Sequence, residues 1–226
     1  MEKMLRVQLV SYSAPSGEMF DNGIEDVQDL IAFCARVSNP ANQLNTETAD
    51  KLIKYLIKHK HWSPLEMASA CLEIETTRDI ARQILRHRSF SFQEFSQRYA
   101  DPTKDLDFVL RDARLQDNIN RQNSIDTENK DLKEEWNMKQ MEVINLVKKH
   151  YEWALNQGIA KEQARAILPE GNTVSRLYMN GTLRSWIHFI EIRSGNGTQK
   201  EHMEVARACA AAITAIFPMV EEFVQK

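Results

Sequence analysis

Apolar and polar residues alternate over residues 5–11, with Leu5, Val7 and Leu9 on one side, which predicts an opening strand. A polar turn at residues 21–23 separates it from a helical pattern over residues 24–37, which Asn39-Pro40 ends. Over residues 46–60, Leu52, Ile53, Leu56 and Ile57 share one helical face. Ser63-Pro64-Leu65-Glu66 then reads as a capping box, with serine at the N-cap, proline in the first turn and glutamate three residues on. Residues 68–75 alternate again, Ala70, Leu72 and Ile74 against Cys71, Glu73 and Glu75, as a half-buried strand would. Thr77 can cap a following helix over residues 78–87, with Ile80, Ala81, Ile84 and Leu85 on one side and Arg78, Arg82 and Arg86 on the other.

Residues 101–126 are polar and weakly patterned, and read as a variable loop. A long helix is predicted over residues 128–156, with Leu132, Trp136, Val143, Ile144, Val147, Tyr151 and Leu155 near one stripe and Gly158 as its stop. Shorter helices are predicted over residues 161–168, 183–193 and 199–217, with Pro169 and Pro218 closing two of them. No repeat or linker divides the chain, so residues 1–226 are expected to form one α+β domain: a small central antiparallel sheet packed with several long helices. Apolar helix faces beyond the needs of one core favour an oligomer.

Composition narrows the classes. A chain of 226 residues can bury a full core, and a formal charge of −3 gives no global attraction to nucleic acid or anionic membrane. Cys34, Cys71 and Cys209 are odd in number, widely spaced and flanked by apolar residues, which suits reduced thiols in a cytoplasmic protein. The first ten residues lack the apolar run of a leader, and the apolar run at residues 208–217 is too short to span a bilayer.

The densest chemistry lies in R-H-R-S-F-S-F-Q-E-F-S-Q-R-Y, residues 86–99. Neither G-x-x-x-x-G-K-[ST] nor G-x-G-x-x-G occurs, so phosphate must be held by side chains, and arginine does this with a planar, permanently charged fork. Arg78, Arg82 and Arg86 at i, i+4 and i+8 could be a solvated basic face; with His87, Arg88, Ser89, Ser91, Ser96 and Arg98 beside them, an anionic cofactor or nucleotide is the better reading. Phe90, Phe92 and Phe95 read as core residues, with stacking as the lesser role. His59, His61 and His87 with Glu66 lack metal-ligand spacing, so no metal is expected. His150, His188 and His202 read as core or surface histidines. A single-stranded nucleic-acid module using the arginine stripe with Phe90 and Phe92 is the alternative from another class.

Arg86-His87-Arg88, followed after seven residues by Ser96, resembles the signature of the flavin-dependent thymidylate synthases. The likeness continues in A-R-V-S at residues 35–38, H-x-H-x-S-P-x-E at 59–66, A-R-Q at 81–83, E-x-S-x-R-Y from Glu94, A-R-A-I-L-P at 164–169, R-S-W-I-H-F-I-E-I-R at 184–193, and Gln199-x-Glu201. It implies a homotetramer with active sites at subunit interfaces. The implied reaction is reductive methylation of dUMP to dTMP, with methylenetetrahydrofolate as carbon donor, NADPH-reduced FAD as hydride source and no cysteine nucleophile. A related enzyme making another C5-modified pyrimidine nucleotide, for instance by hydroxymethylation, is the variant reading.

By the same resemblance, Gln83, Glu94, Ser96, Gln97, Arg98, Arg165 and Arg193 form the dUMP site. Ser38, His61, Ser63, Glu66, Arg86, His87 and Arg88 contact FAD, with Thr182 and His188 standing where the family has asparagines. Met67 replaces a histidine frequent in the family. Arg193 is the implied catalytic residue, polarising the uracil; Ser96 invites the label of nucleophile, but with no base committed to it, phosphate or ribose hydrogen bonding is the better role.

Overall fold

The computed structural model describes residues 5–225; the first four residues, part of the stretch read above as lacking a leader, lie outside it, as does Lys226. Among the described residues six strands form, β1 (Arg6–Tyr12), β2 (Ser69–Thr77), β3 (Ser91–Glu94), β4 (Arg114–Gln116), β5 (Ser124–Asp126) and β6 (Val174–Thr182). Between them run α1 (Gly17–Asp21), α2 (Val27–Ala35), α3 (Ala49–Lys58), α4 (Arg78–Ile84), α5 (Pro102–Asp105), α6 (Lys130–Asn156) and α7 (Lys161–Ala164), and after them α8 (Leu183–Arg193) and α9 (Lys200–Thr214). The main sheet is antiparallel in the order β1-β2-β6-β3, and β4 with β5 makes a separate hairpin. The α+β expectation therefore holds.

One face of the sheet carries Ala70, Leu72, Ile74, Leu177 and Met179, all buried, against α2, α3, α4, α8 and α9. Trp186 on α8 is fully buried, donates from Nε1 to the carbonyl of Ala70 at 3.0 Å, and meets Phe90 edge-on at 4.8 Å. A smaller cluster of Phe108, Ile144, Tyr151, Ala154, Ala164 and Leu168 lies under α6.

Strand β2 departs from expectation. Its second face is not solvated: Glu73 and Glu75 are buried, because β2 is flanked by β1 and β6 and their carboxylates are taken up across the strands. Tyr178 Oη donates to Glu73 at 2.8 Å, and the guanidinium of Arg176, from Nε, to Glu75 at 2.7 Å. The partner strand β6 has its own alternation, Leu177 and Met179 inward against Arg176, Tyr178 and Asn180, which the sequence reading passed over.

The capping box at Ser63 is also corrected. Residues Ser63–Glu66 form a single 3-10 turn with Trp62 in the cap position and no side-chain cap, and Glu66 turns instead to Arg184. Thr77 is the N-cap of α4 by position, but its hydroxyl donates to Asp79 rather than capping a backbone N–H. The helix expected over residues 161–168 is shorter, α7 running into a 3-10 turn at Arg165–Ile167.

Residues 101–126 are not a featureless loop. Leu106 and Phe108 are buried, Phe108 bridges Thr173, and the hairpin closes against α9, where Lys200 Nζ bonds Asp126 at 2.8 Å. Helix α6 starts at Asn129, whose side chain accepts from the N–H of Leu132, and stops at Gly158 with φ of +77°, a left-handed conformation that glycine adopts at little cost. Its predicted stripe splits: Ile144 and Tyr151 are buried, whereas Leu132, Trp136 and Val143 join Leu146 and Trp153 on an exposed apolar line.

Candidate active site

Strand β2 passes directly into α4, and β3 returns antiparallel beside β6 with Glu94 opposite Leu177. That topology places the Glu94 carboxylate against the first turn of α4. Oε1 accepts from Ser175 Oγ at 2.8 Å and lies 3.5 Å from Arg78 Nη1, while Oε2 lies 3.3 Å from Arg82 Nη1. Glu170 adds a second carboxylate at 3.7 Å from Arg78 and 3.8 Å from Arg82. The arginine face is thus largely neutralised within the fold, which removes the free basic stripe that the nucleic-acid alternative needed.

On the other side of α4, Gln83 donates from Nε2 to Gln199 Oε1 at 2.8 Å, and its own Oε1 lies 3.2 Å from His202 Nδ1. His202 is fully buried, so its reading as a core histidine holds, but it is tied to a predicted site residue. Nearby, Arg193 at the last turn of α8 donates from Nε to His87 Nε2 at 3.1 Å. Because an arginine only donates, His87 Nε2 must carry its lone pair there.

Burial, and then the charge of Arg193, push His87 down to about 4; burial, then Arg193 and His87, push His202 down to about 3. Both imidazoles are neutral at pH 7. Their ordinary value is 6.5, so as pH falls below 6.5 the unfolded chain binds protons that the folded chain refuses, and stability drops until about pH 4 to 3. The melting temperature is therefore expected to be flat above pH 7 and to fall between pH 6.5 and 4, with a shallower slope in a His202→Phe variant; an unchanged slope would count against a buried neutral His202.

The segment after β3 carries the remaining nucleotide candidates. Arg98 pairs with Glu162 on α7 at 3.2 Å, and Arg165 follows on the next turn, close enough to Arg78 for their charges to oppose one another. Gln97 is buried with its Nε2 lacking a partner among the described residues. Ser96 Oγ accepts the N–H of Arg98 at 3.4 Å and meets no histidine or carboxylate among the described residues, so nothing equips it as a nucleophile.

Six of the nine flavin candidates fall into two places, and His87 lies apart, beside Arg193. Arg88, with Ser69, Ser89, Phe90, Ser91, Asn180, Gly181 and Thr182, lines an open cavity of about 350 Å³. Thr182 doubles as N-cap of α8, accepting from the N–H of Ser185 at 3.3 Å. Gly181 is needed as glycine, since a Cβ there would stand 2.4 Å from the ring of Phe90. A second group holds Glu66, 2.5 Å from Arg184, and His188, edge-on to Trp62 at 4.7 Å, with exposed His61 and Ser63 on the preceding turn. Ser38 and Arg86 are exposed and belong to neither group. Guanidiniums, hydroxyls and a neighbouring ring suit an anionic, ring-bearing cofactor such as FAD.

Sequence reading missed Arg111 and Arg114, whose place in a polar stretch carries no local signal. Arg111 Nη2 bonds Asp79 at 2.6 Å, its Nη1 lies 3.0 Å from Glu201, and Arg114 Nη2 donates to the same Glu201 carboxylate. Burial works to raise Glu201, but the bond from Arg114 and the charge of Arg111 prevail and hold it at about 2.

A helix springing from the central strand β2 and lined with guanidiniums, carboxamides and a shared carboxylate, beside an arginine–histidine pair, has the chemistry that suits anionic ligands rich in hydrogen-bonding groups. Residues 22–219 match the family model described as thymidylate synthase complementing protein. The chain is 47% identical over 216 residues, 96% of its length and 97% of the relative's, to a probable flavin-dependent thymidylate synthase of Paramecium bursaria Chlorella virus 1. It is 51% identical over 193 residues, 85% of its length and 87% of the relative's, to a flavin-dependent thymidylate synthase of Synechocystis. A crystal structure of a UMP/dUMP methylase from Streptomyces cacaoi bound with 5-Br dUMP superposes with a TM-score of 0.78 at 25% identity, covering 98% of this chain and 95% of that one. The chain belongs to the flavin-dependent thymidylate synthases.

Proposed function

We propose that this chain converts dUMP to dTMP by reductive methylation, with methylenetetrahydrofolate as carbon donor, NADPH as reductant and FAD as bound cofactor. The observation that carries the reading is the near-full-length identity to relatives named for that activity, joined to a site whose donors suit a mononucleotide. Reduced FAD, when bound, supplies the hydride.

In this reading Arg98 and Arg165 take the phosphate, with Ser96 and Gln97 adding hydrogen bonds, and the unpartnered Nε2 of Gln97 is a donor waiting for one. Glu94 fixes Arg78 and Arg82 and offers its remaining lone pairs to the deoxyribose hydroxyl. Arg193 faces the uracil, held at Nε by neutral His87, and stabilises negative charge as it develops on the ring. Arg86, His87, Arg88, Ser38, His61, Ser63, Glu66, Thr182 and His188 hold FAD, divided between subunits. The exposed apolar line on α6 supports a homotetramer, since Leu146 and Trp153 at 56% and 57% exposure are unfavourable in water. The longest helix is not apolar enough to cross a membrane, nor is any other among the described residues, and the reduced thiols fit a cytoplasmic setting.

The deciding experiment is anaerobic incubation of the purified protein with FAD, NADPH, methylenetetrahydrofolate and dUMP, reading the nucleotide product by mass. A mass gain of one methyl supports the reading; a hydroxymethyl gain supports the related enzyme; no change in dUMP overturns both. Burial raises the thiols of Cys34, Cys71 and Cys209 above their ordinary value, so none is poised as a thiolate. Replacing all three by alanine is expected to keep turnover within about twofold, with some loss of stability at fully buried Cys209. Abolished turnover in a variant that still melts cooperatively would refute thiol-free chemistry.

A further inference from the structure

Arg111 and Arg114 lie outside every motif that led to the family, yet they stand at one end of a hydrogen-bonded chain that finishes at Gln83. Arg111 is held firmly: its backbone N–H donates to Gln140 Oε1 at 2.8 Å, its carbonyl accepts from Gln140 Nε2 at 3.0 Å, and its Nε donates to the carbonyl of Gly171 at 2.9 Å. From that position its charge pairs with Glu201 at 3.0 Å, while Arg114 donates the hydrogen bond to that carboxylate, which can only accept.

The direction of every following bond is then forced. Gln199 must present Nε2 to Glu201, at 3.0 Å, which leaves its Oε1 for Gln83. Gln83 must give Nε2 to that oxygen, at 2.8 Å, which leaves its Oε1 facing His202 Nδ1 at 3.2 Å. Nδ1 therefore carries the proton, and His202 Nε2 keeps a buried lone pair with no partner among the described residues. Turning the Gln83 amide over would set its carbonyl against that of Gln199 in a half-buried place, a loss that a change of tautomer at His202 does not relieve.

Locked in this way, Gln83 still has one N–H and one oxygen lone pair unused, in a fixed order. Uracil offers a carbonyl O4 beside a donating N3–H; cytosine offers a donating amino group beside an accepting N3. An amide that cannot turn over pairs with the first and opposes the second.

We propose that Arg111 and Arg114 are positioning residues that fix, through Glu201 and Gln199, which way the Gln83 carboxamide faces, and that this fixed order selects uracil over cytosine mononucleotides. The proposal rests on the reading of Gln83 as part of the dUMP site. It is separate from the chemistry of methyl transfer, because it concerns which base is admitted.

The test is calorimetric titration of the FAD-loaded protein with dUMP and with dCMP, for wild type, Arg114→Met, Arg114→Lys and Glu201→Gln. The expected result is a dUMP preference of about 100-fold or more in wild type. It should fall at least about tenfold in Arg114→Met and Glu201→Gln, where Glu201 loses an anchor or its acceptor-only character, and be kept in Arg114→Lys. Equal weakening of both nucleotides, or an unchanged ratio, in either disruptive variant that melts cooperatively would overturn it. Nitrogen-15 NMR of His202 in the ligand-free protein gives a second readout that does not depend on nucleotide binding. Protonated Nδ1 in wild type, and mixed tautomers in Glu201→Gln, are expected; an Nε2–H tautomer in wild type would overturn the proposal even if dUMP binds. A wild-type protein with the expected tautomer that binds no dUMP would instead overturn the reading of the site, and base selection with it.

Discussion

Replacing Arg193 by alanine is expected to lower dUMP turnover by about 100- to 1,000-fold, with flavin content and melting temperature little changed. Arg193 ends α8, where its side chain is half-buried and the only hydrogen bond it makes among the described residues runs from Nε to His87. Both Nη groups therefore remain for a ligand. In the proposed function the partner of Arg193 is the uracil ring, and a guanidinium gains most when that ring becomes negative as C5 is prepared for reaction, and less when the ring is neutral. The loss should consequently appear in kcat more than in KM for dUMP. Arg193→Lys keeps the charge but not the fork or the Nε bond to His87, and should recover only part of the rate. Steady-state kinetics with an anaerobic single-turnover check decides the matter; a kcat within threefold of wild type in Arg193→Ala would remove the residue from the chemistry.

The second large effect is expected at Glu94. Its carboxylate is shared by Arg78, Arg82 and Ser175, and Arg78 is buried, so truncation to alanine strands a cation between α4 and β6 with only Glu170 nearby. Breaking a buried pair by removing one partner costs roughly 3–5 kcal/mol, and the remaining Glu170 should hold the loss near the lower end. dUMP affinity should fall at least about tenfold, because α4 also carries Gln83. Glu94→Gln keeps an acceptor for Ser175 and should lose less of both. Thermal melting beside dUMP titration checks the pair of effects, and a Glu94→Ala protein that melts like wild type would show that the shared carboxylate does not hold the helix to the sheet.

These two residues show what could be read from the chain and what could not. The opening strand, the helix at 183–193, the long helix and its glycine stop follow from local period and local breakers, and they stand within a few residues of their expected bounds. Arg193, His87 and Glu94 were legible as members of an ordered motif set. Their pairings were not: Glu94 reaches Arg78 only because β3 returns beside β6 and α4 springs from β2, and nothing within a few residues encodes that. Strand β6 was passed over although Leu177 and Met179 alternate with Arg176, Tyr178 and Asn180. The stretch 101–126 failed for the converse reason. Its polarity suggested solvent, whereas Arg111 spends its charge on Asp79 and Glu201, 32 positions back and 90 positions on.

Phe90 has one face in the core and one in the cavity. Its ring packs on Trp186 and is admitted by the missing side chain of Gly181, and the same ring is part of the wall beside Arg88 and Thr182. Selection for a roomier or differently shaped pocket cannot act on this wall without also loosening the centre of the protein, where losing a large aromatic typically costs about 3–5 kcal/mol. Changes to the polar rim of the cavity, Ser69, Ser89 and Ser91, are therefore expected to reshape it at less cost to the core than changes to Phe90.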